Sequence, residues 1–246
     1  MLIINADDLG ISDLASDNII ACHRQGLITS ASAMVFMSDS ARAAKLAASA
    51  GLETGLHLNL TQPFDGSEGP LRIKEIHPSI VEYFRFRKWS RIIYNPLLGK
   101  KLDYVFKAQY DEYCRLFGNA PVKIDGHHHM HLCMNMILGR IIPPGSRVRG
   151  NFSFEVGEKH FINRLYRRVV DAWLKRHYCC PDSLFNLEES RDLPKMNRII
   201  NLASFSNVEL EVHPGRFESY NYLMSSGFRN LIAKIPKGAY SMLPRS

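Results

Sequence analysis

Long hydrophobic runs are missing from this chain. No apolar stretch reaches the roughly 18 residues that a membrane-spanning helix needs. Cysteine is scarce: five thiols, at positions 22, 114, 133, 179 and 180, with no C-x-x-C. An odd count without metal-type spacing argues against both a disulfide framework and a structural zinc site. Reduced thiols point to the cytoplasm. The start lacks a basic–apolar–small leader, and residues 1–6 read as a first strand. A G-x-S-x-G elbow is absent, which removes the best-known serine-nucleophile signature. Linkers, internal repeats and low-complexity segments are absent as well, so one domain over 1–246 is expected. Acidic residues are the minority, 24 against 31 Lys and Arg, for a net charge of +7. That balance admits anionic partners. No nucleic-acid module accompanies it, so a nucleic acid is not expected among them.

What is present is an ordinary globular composition, 46% apolar and 22% charged over 246 residues. Leu2-Ile3-Ile4 is a short apolar run of the buried parallel-strand type, ending in Asp7-Asp8. Ser12 or Asp13 caps a helix to about Arg24, with Gly26 as its stop. Thr29 to Met37 reads as a second strand. A second, Ala-rich helix capped by Ser38 or Asp39 runs to Gly51, and Thr54 to Leu60 forms a third strand. This β–α–β–α–β rhythm predicts a parallel sheet or barrel with helices outside. Residues 73–100 break the rhythm with a basic and aromatic insertion. A helix from Lys101 to Phe117 follows, stopped by Gly118. The next strand, 122–126, runs into IDGHHHMH at 124–131, which holds four of the ten histidines. Further on the pattern predicts a short strand Arg147–Arg149 and a basic amphipathic helix Glu158–His177. A helix Pro194–Ala203, an alternating strand Asn207–Val212 and a last helix at 225–235 complete the reading.

Four predicted strand ends carry metal-ligand or acid–base residues: Asp7 with Asp8, His57, His127 with its neighbours, and His213. Active sites of barrels and parallel sheets form at the carboxyl ends of strands. Each piece has a bland reading alone: a helix cap, a core histidine, a surface chelating tract, a strand terminator. Together they suit one divalent ion held by a carboxylate and two imidazoles, with open positions for water, as in catalytic sites. A second carboxylate beside it can take the water's proton, and a histidine opposite can protonate a leaving amine. The part list fits hydrolysis of an amide or ester. The four histidines leave two arrangements open: an extended segment puts His127 and His129 on one face, a helical turn His127 and His131.

The segments NADDLG (5–10), TSASAMV (29–35), GLHLNLT (55–61), IDGHHHMH (124–131) and EVHPG (211–215) resemble, in order, the signature segments of the YdjC-like carbohydrate deacetylases. The resemblance implies an α/β fold, a distorted (β/α) TIM-like barrel of the polysaccharide-deacetylase type. It also implies one divalent ion, magnesium or zinc, and loss of acetate from an N-acetylated amino sugar, free, oligomeric or lipid-linked. Residue by residue, Asp8, His57 and His127 match the metal ligands, Asp7 the general base and His213 the general acid. His129, His131 and Arg149 are expected to meet substrate. Two positions depart from the pattern: Leu9 stands for the usual phenylalanine, and Gly126 for the usual serine.

The stretch 83–101 and the basic helix 158–177 admit a solvated lid or a peripheral contact with the inner face of a membrane. A homodimer is the other partner expectation. Two alternatives come from other classes. One is a metal-dependent hydrolase of a phosphoester or non-sugar amide on the same barrel. The other is a non-catalytic carbohydrate- or membrane-binding relative.

Overall fold

The structure, a computed structural model, describes residues 1–67, 69–87, 89–154, 160–233 and 235–244. Its centre is β1 (Leu2–Leu9), flanked on one edge by β2 (Ser30–Ala33) and on the other by β6 (Val208–Val212). With β3 (Glu53–Leu58), β4 (Ile124–Gly126) and β5 (Ser183–Asn186) they form a six-stranded sheet in the order β4-β3-β2-β1-β6-β5, every pairing parallel. The sheet curls into a half-barrel with helices outside. An irregular stretch spans the remaining gap: Arg149 donates its amide to Ile124, Val148 to Cys179 and Ser153 to Leu184. The predicted strand Arg147–Arg149 is therefore reduced to isolated bridges against Ile124 and Cys179. This is the distortion of the barrel.

The helices follow from local chemistry. In α1 (Asp13–Arg24) the Ser12 hydroxyl accepts from the Ala15 amide, and Ile19, Ile20 and Cys22 turn inward. α2 (Ser40–Ala50) is Ala-rich and ends on Gly51 in the left-handed conformation. The insertion expected over 73–100 is mostly regular. Residues Leu71–Phe86 form α3, which buries Ile73, His77, Ile80, Val81 and Phe84, and α4 (Gly99–Phe117) packs beside it. Their mixed charge hides a helical period that a strand-based rhythm does not anticipate. Within that insertion, residues 87 and 89–98 carry no α-helix or strand. α5 (Met134–Leu138) follows the histidines.

The predicted helix from Glu158 begins, as α6, at Phe161 and runs to His177; Glu158 and Lys159 lie outside the described residues. β5 was not predicted, being four residues long. α7 (Leu193–Ala203) matches expectation, as does the last helix, α9 (Ser226–Ile232), while α8 (Phe217–Met224) before it was not predicted. The strand expected over 29–37 is regular only for Ser30–Ala33, after which Phe36 turns left-handed at φ 61°.

Candidate metal centre and the charged floor beneath it

In a regular strand Asp7 and Asp8 would point to opposite faces. The β1–β2 register shifts between Ala6 and Leu9, and Asp8 takes φ 71°. A non-glycine residue held there costs about 1–3 kcal/mol, a strain typical of functional sites. The bulge brings both carboxylates to one imidazole: His57 Nε2 stands 3.3 Å from Asp8 Oδ1 and 3.9 Å from Asp7 Oδ2. His57 is paired in register with Asp125 of β4, whose Oδ1 accepts from Nδ1 at 2.7 Å. That bond fixes the tautomer and leaves Nε2 facing the cluster. His127 Nδ1 lies 3.0 Å from Asp8 Oδ1.

The histidine tract is neither extended nor helical. His128 and His129 both adopt left-handed conformations, φ 54° and 56°, within a kinked 3-10 turn. The four imidazoles therefore fan in four directions. His127 meets Asp8, His128 Nδ1 meets Thr61 Oγ1 at 2.9 Å, and His129 Nε2 lies 3.3 Å from Glu211 Oε2. His131 turns inward and donates from Nε2 to the Arg149 carbonyl at 3.0 Å. Gly126 makes this possible, since a Cβ there would meet the His131 amide at 2.8 Å.

Under the cluster lies a buried ionic network. Arg149 is 0% exposed. Its guanidinium donates to Asp7 through both terminal nitrogens at 2.6 Å. It also meets Glu211 at 3.0 Å, Glu209 at 2.7 Å and Asp125 at 3.0 Å. Lys123, equally buried, pairs with Asp125 and donates to Ser32 Oγ at 2.7 Å. Gly55 gives it room: a Cβ there would strike the Lys123 side chain at 2.3 Å. Tyr240 hydrogen-bonds the far oxygen of Glu209.

These charges set the protonation states. Burial would raise Asp7, but the Arg149 guanidinium and His57 hold it well below the usual carboxylate range. Burial would likewise raise Asp8, which its contacts with His127 and His57 reverse. Burial would lower His57, yet the carboxylates of Asp125 and Asp7 push it up to about 10. His213, at the end of β6, sits with Nδ1 3.5 Å from Glu188 Oε1 and Nε2 3.8 Å from Glu211 Oε1. Burial would lower it, but Glu188 and then Asp7 raise it.

A divalent ion fits this donor set. Ligand atoms around a tetrahedral ion with bonds of about 2.1 Å lie roughly 3.4 Å apart. Asp8 Oδ1 is 3.3 Å from His57 Nε2 and 3.0 Å from His127 Nδ1, and these three residues form one of three Asp/Glu/His groups of metal-binding geometry among the described residues. The charge also fits. Five carboxylates, of Asp7, Asp8, Asp125, Glu209 and Glu211, stand against Arg149 and Lys123, an excess of negative charge that a cation relieves. The surplus that holds a proton on His57 would hold a metal in its place.

Of the residues expected at the site, the structure brings together Asp7, Asp8, His57 and His127, with His213 joined to them through Asp7 and Glu211. His129 lines an adjoining cavity of about 360 Å³ and stands edge-on to Phe152. His131 and Arg149 lie behind the site, buried, and hold the floor instead of facing the cavity. Sequence reasoning missed Lys123, Asp125, Glu188, Glu209 and Glu211. An alternating V-E-L-E-V reads as a strand with a solvated face, whereas all five residues of β6 are buried. The signal that could have exposed this is Lys and Arg set inside other short apolar strands, at Lys123 and Arg149.

A family model described as YdjC-like protein matches residues 1–234. The chain is 34% identical over 137 residues to a chitooligosaccharide deacetylase of Proteus mirabilis, a match covering 54% of this chain and 50% of the relative. A chitooligosaccharide deacetylase of Klebsiella pneumoniae is 32% identical over 135 residues, with the same coverage. The chain thus spans about half the length of these two relatives. A carbohydrate deacetylase of Clostridium beijerinckii matches more extensively, 26% identical over 230 residues, 92% of this chain and 86% of that one. Among solved structures, an Enterococcus faecalis protein named for cellobiose-phosphate cleavage superposes with a TM-score of 0.70 over 99% of this chain and 98% of its own, at 18% identity. That likeness shows the fold.

Proposed function

Because the chain belongs to the YdjC-like protein family, we propose that it is a metal-dependent carbohydrate deacetylase that removes acetyl from an N-acetylated amino sugar. The observation that carries this reading is the convergence of Asp8, His57 and His127 beside a second, ionised carboxylate, Asp7. The names of its relatives support the sugar amide as the bond attacked.

A magnesium or zinc ion held by Asp8, His57 and His127 would polarise the acetamide carbonyl and make a water acidic enough to lose its proton near neutral pH. The chain's own residues do the rest. Asp125 orients His57, and Arg149 orients Asp7 with two hydrogen bonds while keeping it ionised. Asp7 accepts the proton of the attacking water. His213, whose protonated form Glu188 and Asp7 favour over the opposing effect of burial, donates to the departing amine. His129, over the adjoining cavity, contacts the sugar; His131 and Arg149 act from behind. A single domain over 1–246 is part of this proposal, supported by every donor coming from one sheet and its loops. Five free thiols favour a reducing compartment, the cytoplasm.

The test is acetate release after chelation and return of magnesium, zinc, cobalt or manganese. The substrates are N-acetylglucosamine, chitooligosaccharides and a polyprenyl-phosphate-linked N-acetylhexosamine. Metal-dependent release that His127→Ala and Asp7→Ala both abolish upholds the reading. No acetate from any of them, with one ion bound per chain, overturns it in favour of a different scissile bond.

A further inference from the structure

α6 is held to the core by little: only Val170 and Leu174 are buried. At about 100° per residue, Phe161, Leu165, Val169 and Ile162 fall within one arc of about 100°, while Val170 and Leu174 lie outside it on the inner side. Phe161, Ile162 and Val169 are 65%, 69% and 62% exposed. A soluble surface seldom leaves four neighbouring large apolar side chains to water.

A second exposed apolar set lies at the end of α3 and just beyond it. Phe86, the last residue of α3, and Ile92, Ile93 and Leu97 of the turn-rich connection to α4 are all solvent-exposed. That connection is clamped to α5, where Asn95 and Asn135 exchange hydrogen bonds of 3.1 and 2.7 Å. The two elements that carry these sets flank the cavity of about 360 Å³ described above, which the apolar arc of α6 does not itself line. Arg91 and Ile92 form one wall, Asn163, Tyr166 and Arg167 the other, and His128 and His129 line it between them.

The charge around these apolar residues has one sign. Residues 85–101 contain no Asp or Glu, and α6 has one acid, Asp171, against five Lys and Arg. Asp171 is turned inward, accepting from the amide and side chain of Asn151. Among the described residues Arg85, Arg87, Arg91, Arg164 and Arg168 form no ion pair with a carboxylate; Arg85 and Arg87 lie over Phe86 and Tyr83 instead. Apolar side chains ringed by unpaired guanidinium groups complement the boundary between acyl chains and anionic head groups. A protein partner or second copy would leave those cations uncompensated unless it were itself strongly acidic, and this chain's surplus is basic.

We infer that the exposed face of α6 and the 86–97 segment, the two elements that flank the cavity beside His129, dock together on an anionic membrane surface. No helix among the described residues is long and apolar enough to cross a membrane, so the contact is peripheral. The geometry deepens the deacetylase reading and, on that reading, selects an amphiphilic acceptor whose sugar enters from the membrane plane. The docking itself does not depend on that reading.

The experiment is co-sedimentation of the full chain with vesicles of phosphatidylcholine alone and with about 30 mol% phosphatidylglycerol. The expected result is binding to the anionic vesicles, weakened by salt, and about tenfold weaker in Phe161→Ser/Ile162→Ser and in Ile93→Ser/Leu97→Ser. Acetate release from a soluble chitooligosaccharide should be unchanged in both variants, which separates docking from catalysis. Absence of vesicle binding overturns the proposal. So does binding that both apolar variants retain in full, and so does a dimer in solution that the same substitutions dissociate while vesicles bind nothing.

Discussion

The floor and the rim of the cavity are built on opposite principles. The floor is a closed ionic lattice in which Arg149 reaches four buried carboxylates from three strands. The rim is α6 and the 86–97 connection, exposed, basic and apolar, resting on few core contacts. A catalytic group must be held to within a fraction of an ångström, and a desolvated, densely hydrogen-bonded network does that. A surface that meets varied acceptors needs no such lattice. On the deacetylase reading, the floor is where reaction type should be sought and the rim where acceptor choice should be.

The floor should break hardest. Arg149→Met strands four buried carboxylates and is expected to cost about 3–5 kcal/mol, read as a lower urea midpoint. A variant with unchanged stability would mean that the lattice is not what holds the strands. Next comes a buried histidine of α3 that takes no part in the site. Burial pushes His77 down to about 4; it donates to the Asn59 carbonyl and stacks on Phe64. The unfolded chain, with an ordinary value near 6.5, takes up the proton first as pH falls. The contribution of His77 is therefore complete above about 6.5 and declines toward pH 4, by up to about 3 kcal/mol. Urea midpoints of wild type and His77→Gln, compared across that window, isolate it: only the wild type should carry this part of the slope.

A smaller effect is expected at Asp125→Asn, which keeps the shape but loosens the orientation of His57. Divalent-ion affinity, titrated into chelated protein, should fall about 10- to 100-fold. Unchanged affinity would place the metal away from His57. The rim should respond least. Phe161→Ser is expected to change stability by no more than about 0.5 kcal/mol. A loss of several kcal/mol would show α6 to be part of the core and erase the contrast.

The ends of β1, β3, β4 and β6 were readable in the sequence because each short apolar run stops at a residue with metal or proton chemistry. The lattice beneath was not. Glu209 and Glu211 alternate with valine and leucine, which is the pattern of a strand with one wet face. Only the curl of the sheet turns that face inward, onto Arg149, and curl is set by the bulge at Asp8 and the irregular closure at 146–153, neither of which has a period to detect. The fan of histidines was hidden for a related reason. Its directions depend on two left-handed residues that sequence periodicity, extended or helical, does not generate.

The place of β1 has a consequence for how the molecule comes to exist. Leu2 pairs with Val208 on one side, while Asn5 pairs with Ser30 on the other. One edge of the central strand finds its neighbour early in synthesis; the other stays open until β6 emerges from the ribosome. Contacts of such separation slow folding, and an open strand edge invites wrong pairing in the meantime. Asp7 lies on this strand, and two of the carboxylates that share Arg149 with it arrive on β6. Assembly of the charged floor and capture of the last central strand are the same event, so a chain whose candidate site is complete is one whose sheet is complete.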